Sequence, residues 1–249
     1  MKGFERKNVI LNKLYVDRKV NVKELANEFE VSEETVRRDL EKLEKEGVAQ
    51  RSYGGAMLNS ADDLPYTTRH TRNLDKKKVI ATRLERYIVS GMSVMADSSS
   101  TVHEALKYLT NTTKDLNVIT NSVSALNELS SSNLNIISTG GILRERSSAL
   151  VGPLTINSVQ QFNADITLIS CKSLSMQKGL SDADDIEAAI KLEMVKQSNK
   201  VILLVDSTKF DQDSLVKLLD FKKVNVLITD EIPLRKWTEF LKAKNVLLQ

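Results

Sequence analysis

Residues 20–56 read VNVKELANEFEVSEETVRRDLEKLEKEGVAQRSYGGA, and the apolar spacing within them sets the fold of the N-terminal part of the chain. Val22, Leu25, Ala26 and Phe29 fall at i, i+3, i+4 and i+7, the stripe of a short helix. Glu30-Val31-Ser32 breaks it, and Ser32 is placed to cap a second helix. That helix carries Val36, Leu40 and Leu43 on its inner face and ends before Gly47. Two short helices across so tight a turn form a helix-turn-helix, whose second helix enters the major groove. Val48–Arg51 followed by Tyr53-Gly54-Gly55 reads as a wing. Ile10, Leu11 and Leu14 mark a preceding helix that covers the other two.

With Val36, Leu40 and Leu43 turned inward, Thr35, Arg38 and Lys42 share the opposite side, and Arg37 lies on a flank within reach of a phosphate. Arginine suits both tasks, since its planar fork grips guanine or phosphate and keeps its charge. A plainer reading makes Glu34–Arg38 and Asp39–Lys42 solvated helix-surface pairs, each contributing about 0.2–0.5 kcal/mol. The capped turn and the Gly-Gly wing favour DNA binding, with Arg51 and Tyr53 touching backbone at the wing.

The run VSEETVRRDLEKLEKEG followed by RSYGGA resembles the signature of DeoR-type bacterial transcriptional regulators. Ser32, Thr35, Arg37, Arg38, Asp39 and Leu40 match the recognition-helix pattern, and Gly54-Gly55-Ala56 match the wing. The resemblance implies an N-terminal winged helix-turn-helix joined to a C-terminal sugar-phosphate sensor.

Composition permits this. The chain of 249 residues can hold one small and one medium domain, and 41% hydrophobic with 28% charged residues is ordinary for a globular protein. The net charge of +3 argues against nonspecific coating of DNA but leaves room for a local basic face. The single cysteine, Cys171, excludes an internal disulfide and reads as a small buried hydrophobe. His70 and His103 lack metal-ligand spacing with it, so neither a metal nor any other cofactor is expected. No apolar run approaches the ~20 residues of a membrane span and no secretory segment opens the chain, so a cytoplasmic protein is expected.

The expected layout is a DNA-binding domain over 1–58, a linker over 59–72 and an α/β domain over 73–249. The linker is polar, contains Pro65 and has no apolar period. Ile80, Leu84, Tyr87 and Ile88 then form one face of a helix that Gly91 stops; its Lys76-Lys77-Lys78 cluster reads as a solvated helix end. From Met92 onward short apolar runs alternate with helix-length segments: 93–96, 116–120, 134–139, 165–170, 200–206, 224–230 and 245–248. Such alternation indicates a mostly parallel sheet covered on both faces.

In open α/β sheets, ligands bind beyond the carboxyl ends of the strands. Four runs deliver polar turns there: Asp97-Ser98-Ser99-Ser100-Thr101, Thr120-Asn121-Ser122, Thr139-Gly140-Gly141 and Asp206-Ser207-Thr208-Lys209. Each turn alone has a local structural explanation. Together they suggest a polyol-phosphate pocket, with helix starts receiving the anion, Asp97 and Asp206 accepting from sugar hydroxyls, and Lys209 adding positive charge. These turns, with Ser147–Gly152 and Glu187–Lys191, also look like the DeoR-type sensor, which implies a fold related to sugar-phosphate isomerases and coenzyme A transferases. Ser99 stands where that pattern usually has glycine, and a side chain there resists positive φ. Cys171–Ser175 also lacks an expected glycine.

The expected function is a transcriptional regulator, a repressor of carbohydrate uptake or catabolism genes, whose partners are operator DNA, a phosphorylated sugar and further copies of itself. An aldose-ketose isomerase is the alternative enzyme reading, with Asp97, Asp206, Glu187 and Lys209 cast as base and cation. A DNA-binding protein with an inert oligomerisation domain is the third.

Overall fold

The computed structural model describes residues 3–17, 19–46, 48–58, 64–113 and 115–249. Gly47 and residues 59–63 of the expected linker lie outside them. The chain divides into two compact units, Met1–Arg72 and Asn73–Gln249.

The first unit begins with helix α1 (Gly3–Asp17) and strand β1 (Lys19–Asn21), followed by α2 (Val22–Phe29) and α3 (Glu33–Lys45). Strands β2 (Ala49–Ser52) and β3 (Gly55–Leu58) form the wing, and β1 joins them in an antiparallel sheet of order β1-β3-β2. Asn21 caps α2 by accepting from the Lys23 amide at 2.8 Å, and Ser32 caps α3 by accepting from the Thr35 amide at 3.2 Å. The periodic residues converge as expected: Ile10, Leu14, Leu25, Phe29, Val36, Leu40 and Leu43 make one core.

Two details depart from the sequence reading. Asp39 is not a surface partner of Lys42; it is buried, and its Oδ2 accepts from Arg6 Nε of α1 at 2.6 Å. The linker reading of 59–72 also meets a helix, α4 (Tyr66–Thr71). Pro65 starts it, Tyr66 and Thr68 are buried, and Arg69 Nε donates to the Leu64 carbonyl at 3.0 Å. One turn and a half leaves too few apolar positions to show a period.

The second unit opens with α5 (Leu74–Leu84), β4 (Ser93–Ala96), α6 (Ser100–Thr112), β5 (Asn117–Thr120), α7 (Val123–Glu128) and β6 (Asn135–Ser138). A hairpin of β7 (Ile142–Arg144) and β8 (Ala149–Val151) leads to α8 (Pro153–Val159) and β9 (Ala164–Ile169). Next come β10 (Ser173–Ser175), β11 (Gly179–Asp182), α9 (Asp185–Lys196), β12 (Ser198–Leu204) and β13 (Val216–Leu219). The unit closes with β14 (Val226–Ile228), α10 (Arg235–Ala243) and β15 (Leu247–Leu248).

The seven apolar runs become the seven strands of one sheet, ordered β15-β14-β12-β9-β4-β5-β6 and parallel at every pairing. Successive residues serve opposite faces. Val94 and Ala96 pack with Ile80 and Leu84 of α5 and Leu106 of α6, while Met95 packs with Ile190 and Met194 of α9. Farther along the second face, Leu203 and Leu227 meet Trp237 and Leu241 of α10. Burial on both faces explains why these strands read as continuous hydrophobic runs. The β7–β8 hairpin and a small antiparallel sheet, β10-β11-β13, were not visible in the sequence.

Of the lysine cluster on α5, only Lys78 is exposed as a solvated helix end would be. Lys77 is buried, and Lys76 Nζ donates to Ser207 Oγ at 2.7 Å and to Asp230 Oδ2 and Glu231 Oε1, both at 2.8 Å. Hydrogen bonds and charge from the two carboxylates outweigh partial burial and raise the Lys76 pKa. Asn73 Nδ2 adds a contact to Thr208 Oγ1 at 3.5 Å.

Candidate functional sites

On α3, Val36, Asp39, Leu40 and Leu43 are buried, whereas Ser32, Arg37, Arg38 and Lys42 are exposed and Thr35 is half-buried. The exposed set therefore lies on the side away from the core. Ser32 uses its hydroxyl at home, as the cap of α3 and in a 2.9 Å hydrogen bond with Thr35 Oγ1. Arg37 Nη2 lies 2.7 Å from Glu33 Oε2, and Arg38 Nε lies 3.5 Å from Glu34 Oε1.

The wing is fastened to α3 by Glu44. Its Oε1 accepts from the Arg51 amide at 3.1 Å, and its Oε2 accepts from Arg51 Nε at 2.6 Å. Those two donors hold the Glu44 carboxyl below the usual carboxylate range. β2 is an edge strand, so the carboxylate also satisfies an outward amide that no strand pairs. Tyr53 stands fully exposed at the wing tip. Behind it Gly54 accepts from the Val22 amide at 2.8 Å. Gly55 admits no side chain, because a Cβ there would meet the Val20 carbonyl oxygen at 2.0 Å.

In the second unit the expected turns share one edge of the sheet because all its strands run parallel. Those after β4, β5 and β6 are neighbours, while Asp206–Lys209 follows β12, on the far side of β9. Two strand spacings, roughly 9–10 Å, therefore separate it from the β4 turn. The chain travels from β4 through β5 to β6 in one direction and from β9 through β12 to β15 in the other. The reversal point, where doubly wound sheets open a crevice, thus lies between β4 and β9.

Asp97 sits at that point and is buried. Its Oδ1 accepts from the Ser99 amide at 2.8 Å and its Oδ2 from the Ser170 amide, across the crevice, at 2.9 Å. Lys191 Nζ lies 3.4 Å from Asp97 Oδ2 and donates to Asp182 Oδ2 at 2.6 Å and to the Ser170 carbonyl at 2.9 Å. Burial works against the Lys191 charge, but Asp182, Asp97 and Glu187 outweigh it and raise the lysine pKa.

Ser99, Ser100 and Thr101 are buried at the start of α6, and Ser99 Oγ accepts from the Val102 amide at 3.3 Å. Ser99 has φ −72°, so no positive φ is needed at this position and serine fits as a helix cap. The first turn of α6 carries amides beyond the reach of intrahelical acceptors. Thr120 Oγ1 donates to the Ala96 carbonyl at 2.7 Å and accepts from the Ser122 amide at 3.1 Å. Asn121 Nδ2 donates to the Leu150 carbonyl at 3.0 Å, while its buried Oδ1 has no hydrogen-bonding partner among the described residues. Gly140 accepts from Thr155 Oγ1 at 2.8 Å. At Gly141, with φ +128°, a Cβ would lie 2.1 Å from that same hydroxyl and 2.8 Å from the Val151 carbonyl oxygen, so the position requires glycine.

Asp206 accepts from the Thr208 amide at 3.0 Å and from the Thr208 hydroxyl. Burial would raise its pKa, but Lys209 and these donors prevail and lower it. Burial pushes the Cys171 thiol up to about 12, so it is no thiolate nucleophile near neutrality.

Sequence reasoning did not single out Asp182, Asp184 or Arg144. Arg144 of the hairpin donates to Asp184 Oδ2 at 2.7 Å and Glu187 Oε1 at 2.9 Å, tying β7 to the start of α9. Charged residues at loop ends carry no period, so nothing in the spacing marks them. Among the described residues there is no His, Cys, Asp or Glu group able to hold a metal, and no helix is long and apolar enough to cross a membrane.

Two family models match the chain: a DeoR-like helix-turn-helix domain over residues 6–62 and a DeoR C terminal sensor domain over residues 72–231. An uncharacterised HTH-type transcriptional regulator of Bacillus subtilis, YulB, is 37% identical, with 91% of this chain and 88% of that protein covered. The L-fucose operon activator of Haemophilus influenzae is 32% identical, with 90% and 91% covered. The glycerol-3-phosphate regulon repressor of Escherichia coli is 28% identical, with 94% and 93% covered. Among solved structures, ribose 5-phosphate isomerase A of Methanocaldococcus jannaschii aligns over 55% of each chain at 15% identity and TM-score 0.41, a likeness too loose to bear on function.

Proposed function

The chain belongs to the DeoR family of helix-turn-helix transcriptional regulators, and from that premise we propose that it represses genes of carbohydrate uptake or catabolism and leaves its operator when a phosphorylated sugar binds. The observation that carries this reading is the capped helix α3, whose Arg37, Arg38 and Lys42 face solvent beside a wing bearing Arg51 and Tyr53. Thr35, Arg37 and Arg38 take base and phosphate contacts, Lys42 adds a phosphate contact, and Arg51, Tyr53 and the Gly54 turn meet the backbone of the adjacent groove. Two copies on a pseudo-palindromic operator place two such helices about one helical turn apart.

The effector site is the strand-end crevice. The first turn of α6, with Ser99, Ser100 and Thr101, receives the phosphate, and Thr120, Asn121, Gly140 and Gly141 line the neighbouring turns. Asp97 and Lys191 hold the crevice in shape, and Asp206 with Lys209 borders it beyond β9. An isomerase would need an uncommitted carboxylate as base. Asp97, Glu187 and Asp206 are each engaged by the protein's own donors, which favours a binding site over a catalytic one.

The test is a fluorescence-anisotropy titration of the protein onto DNA from its own upstream region, at fixed salt, with a panel of sugar phosphates. One sugar phosphate is expected to weaken operator binding by about 5- to 150-fold, the usual range of allosteric coupling. Strengthened binding would make the ligand a co-repressor or the protein an activator. Selective binding indifferent to every ligand would leave the second unit an assembly domain.

A further inference from the structure

For a helix assigned to reading a polyanion, α3 has an unexpected charge: five acidic residues, Glu33, Glu34, Asp39, Glu41 and Glu44, stand against four basic ones. Asp39 is buried against Arg6. The remaining four each hold a cation. Glu33 takes Arg37 at 2.7 Å, Glu34 takes Arg38 at 3.5 Å, Glu41 takes Lys45 at 2.9 Å, and Glu44 takes Arg51 at 2.6 Å. Three of those cations are the arginines assigned to DNA. Lys42 pairs with no carboxylate among the described residues.

Three of these pairs are ordinary i,i+4 contacts on a helix surface. The fourth is not. Glu44 and Arg51 belong to different elements, and the carboxylate binds both the amide and the Nε of Arg51. An arginine held at Nε keeps its four terminal N–H donors for another partner. All three arginines are therefore paired with glutamates, which the DNA-reading assignment places on the face turned to DNA.

We propose that Glu33, Glu34 and Glu44 are specificity-determining residues that withhold Arg37, Arg38 and Arg51 from random DNA. At an arbitrary sequence an arginine exchanges a carboxylate for a phosphate, a trade of similar interactions, and the abandoned glutamate then faces the polyanion. At the operator the same arginine also gains base-edge or precisely spaced phosphate contacts, which favour the exchange. Because the pairs are water-exposed they are weak enough to open. Discrimination comes from penalising the wrong partner as well as rewarding the right one. This inference rests on the DNA-reading assignment of α3 and the wing.

The experiment compares the full-length protein with E33Q, E34Q and E44Q, singly and combined. Anisotropy is read on an operator duplex selected from a random pool by the wild-type protein, and on a random-sequence duplex of equal length, across a salt series. Glutamine preserves size and, at position 44, an acceptor for the Arg51 amide; melting curves identify any variant whose fold is damaged. Each substitution is expected to tighten random-duplex binding and to steepen its salt dependence by about 1 in log–log slope. The triple variant should narrow the operator-to-random ratio roughly tenfold, a change comparable to about one mismatched base pair. Random-duplex affinity that stays constant or falls would overturn the proposal, as would equal tightening on both duplexes. R37Q and R38Q serve as controls: if they keep full selectivity, it is the recognition-helix assignment that fails.

Discussion

On α3, Arg37 and Arg38 sit in exposed pairs with Glu33 and Glu34, whereas in the second unit Lys191 is enclosed between Asp97 and Asp182. The chemistry is the same and the surroundings differ. Water screens the first kind of pair, so it opens easily and its members can be exchanged for an outside partner. Removing one member of the second kind strands a charge in a poorly solvating interior. The DNA-binding unit also has a buried pair, Arg6–Asp39, but it joins α1 to the inner face of α3 and leaves the outer face to the movable pairs. Exposed charge is thus available for recognition, while buried charge fixes the frame that presents it.

The comparison breaks most sharply at Lys191. Lys191→Met should destabilise the second unit by about 3–5 kcal/mol, because Asp97 and Asp182 lose their cation without leaving the interior. Urea denaturation followed by tryptophan fluorescence reports it, since Trp237 belongs to the core of that unit. A change below about 1 kcal/mol would show that water reaches the triad freely, as at an ordinary surface pair.

Acid should have a smaller and more gradual effect. Asp206 and Asp230 are held below the usual carboxylate range: burial opposes this, but Lys209 and Thr208 prevail at the first, and Lys76 and the Ser207 amide at the second. A depressed carboxylate contributes stability that is present above its unfolded value near 3.9 and is lost as pH falls through its folded value. The melting temperature of the second unit should therefore stay level from pH 7 to about 5 and decline below about pH 4. A decline already under way at pH 6 would instead implicate a histidine.

The smallest effect sharpens the other side. Glu34→Gln should leave the stability of the DNA-binding unit within about 0.5 kcal/mol, as expected of an exposed pair. A larger loss in thermal melting would mean that this pair is part of the frame.

The sequence was readable where burial repeats with a period. The parallel strands announced themselves because both faces are covered, and α2 and α3 because their stripes are complete. Asp39 departs from the surface pair its charge suggests, although its position is informative: with Val36, Leu40 and Leu43 it completes an i, i+3, i+4, i+7 stripe, which marks the position as internal whatever its charge. Lys191 offered no such warning, because α9 buries residues on several sides, among them Glu187, Ala188, Ile190 and Glu193. Strands β1, β7, β8 and β10 are three residues long, too short for alternation to be recognised. The turns of the candidate effector site were visible as composition. Their neighbours were not, since strand order decides which turns adjoin, and no local pattern encodes that order.

Strand β4 has a consequence for synthesis. It pairs with β5, which follows closely, and with β9, which begins at residue 164. The first unit lies within residues 1–72 and can complete its core as soon as they have emerged. The centre of the second unit cannot. At roughly 5–20 residues per second, the nearly 70 residues between the end of β4 and the start of β9 take several seconds to make. Throughout that interval one long side of β4 is an unsatisfied row of amides and carbonyls, open to any neighbouring nascent chain. The crevice assigned to the effector, which Asp97 closes by bonding to Ser170, therefore cannot form until synthesis has passed β9.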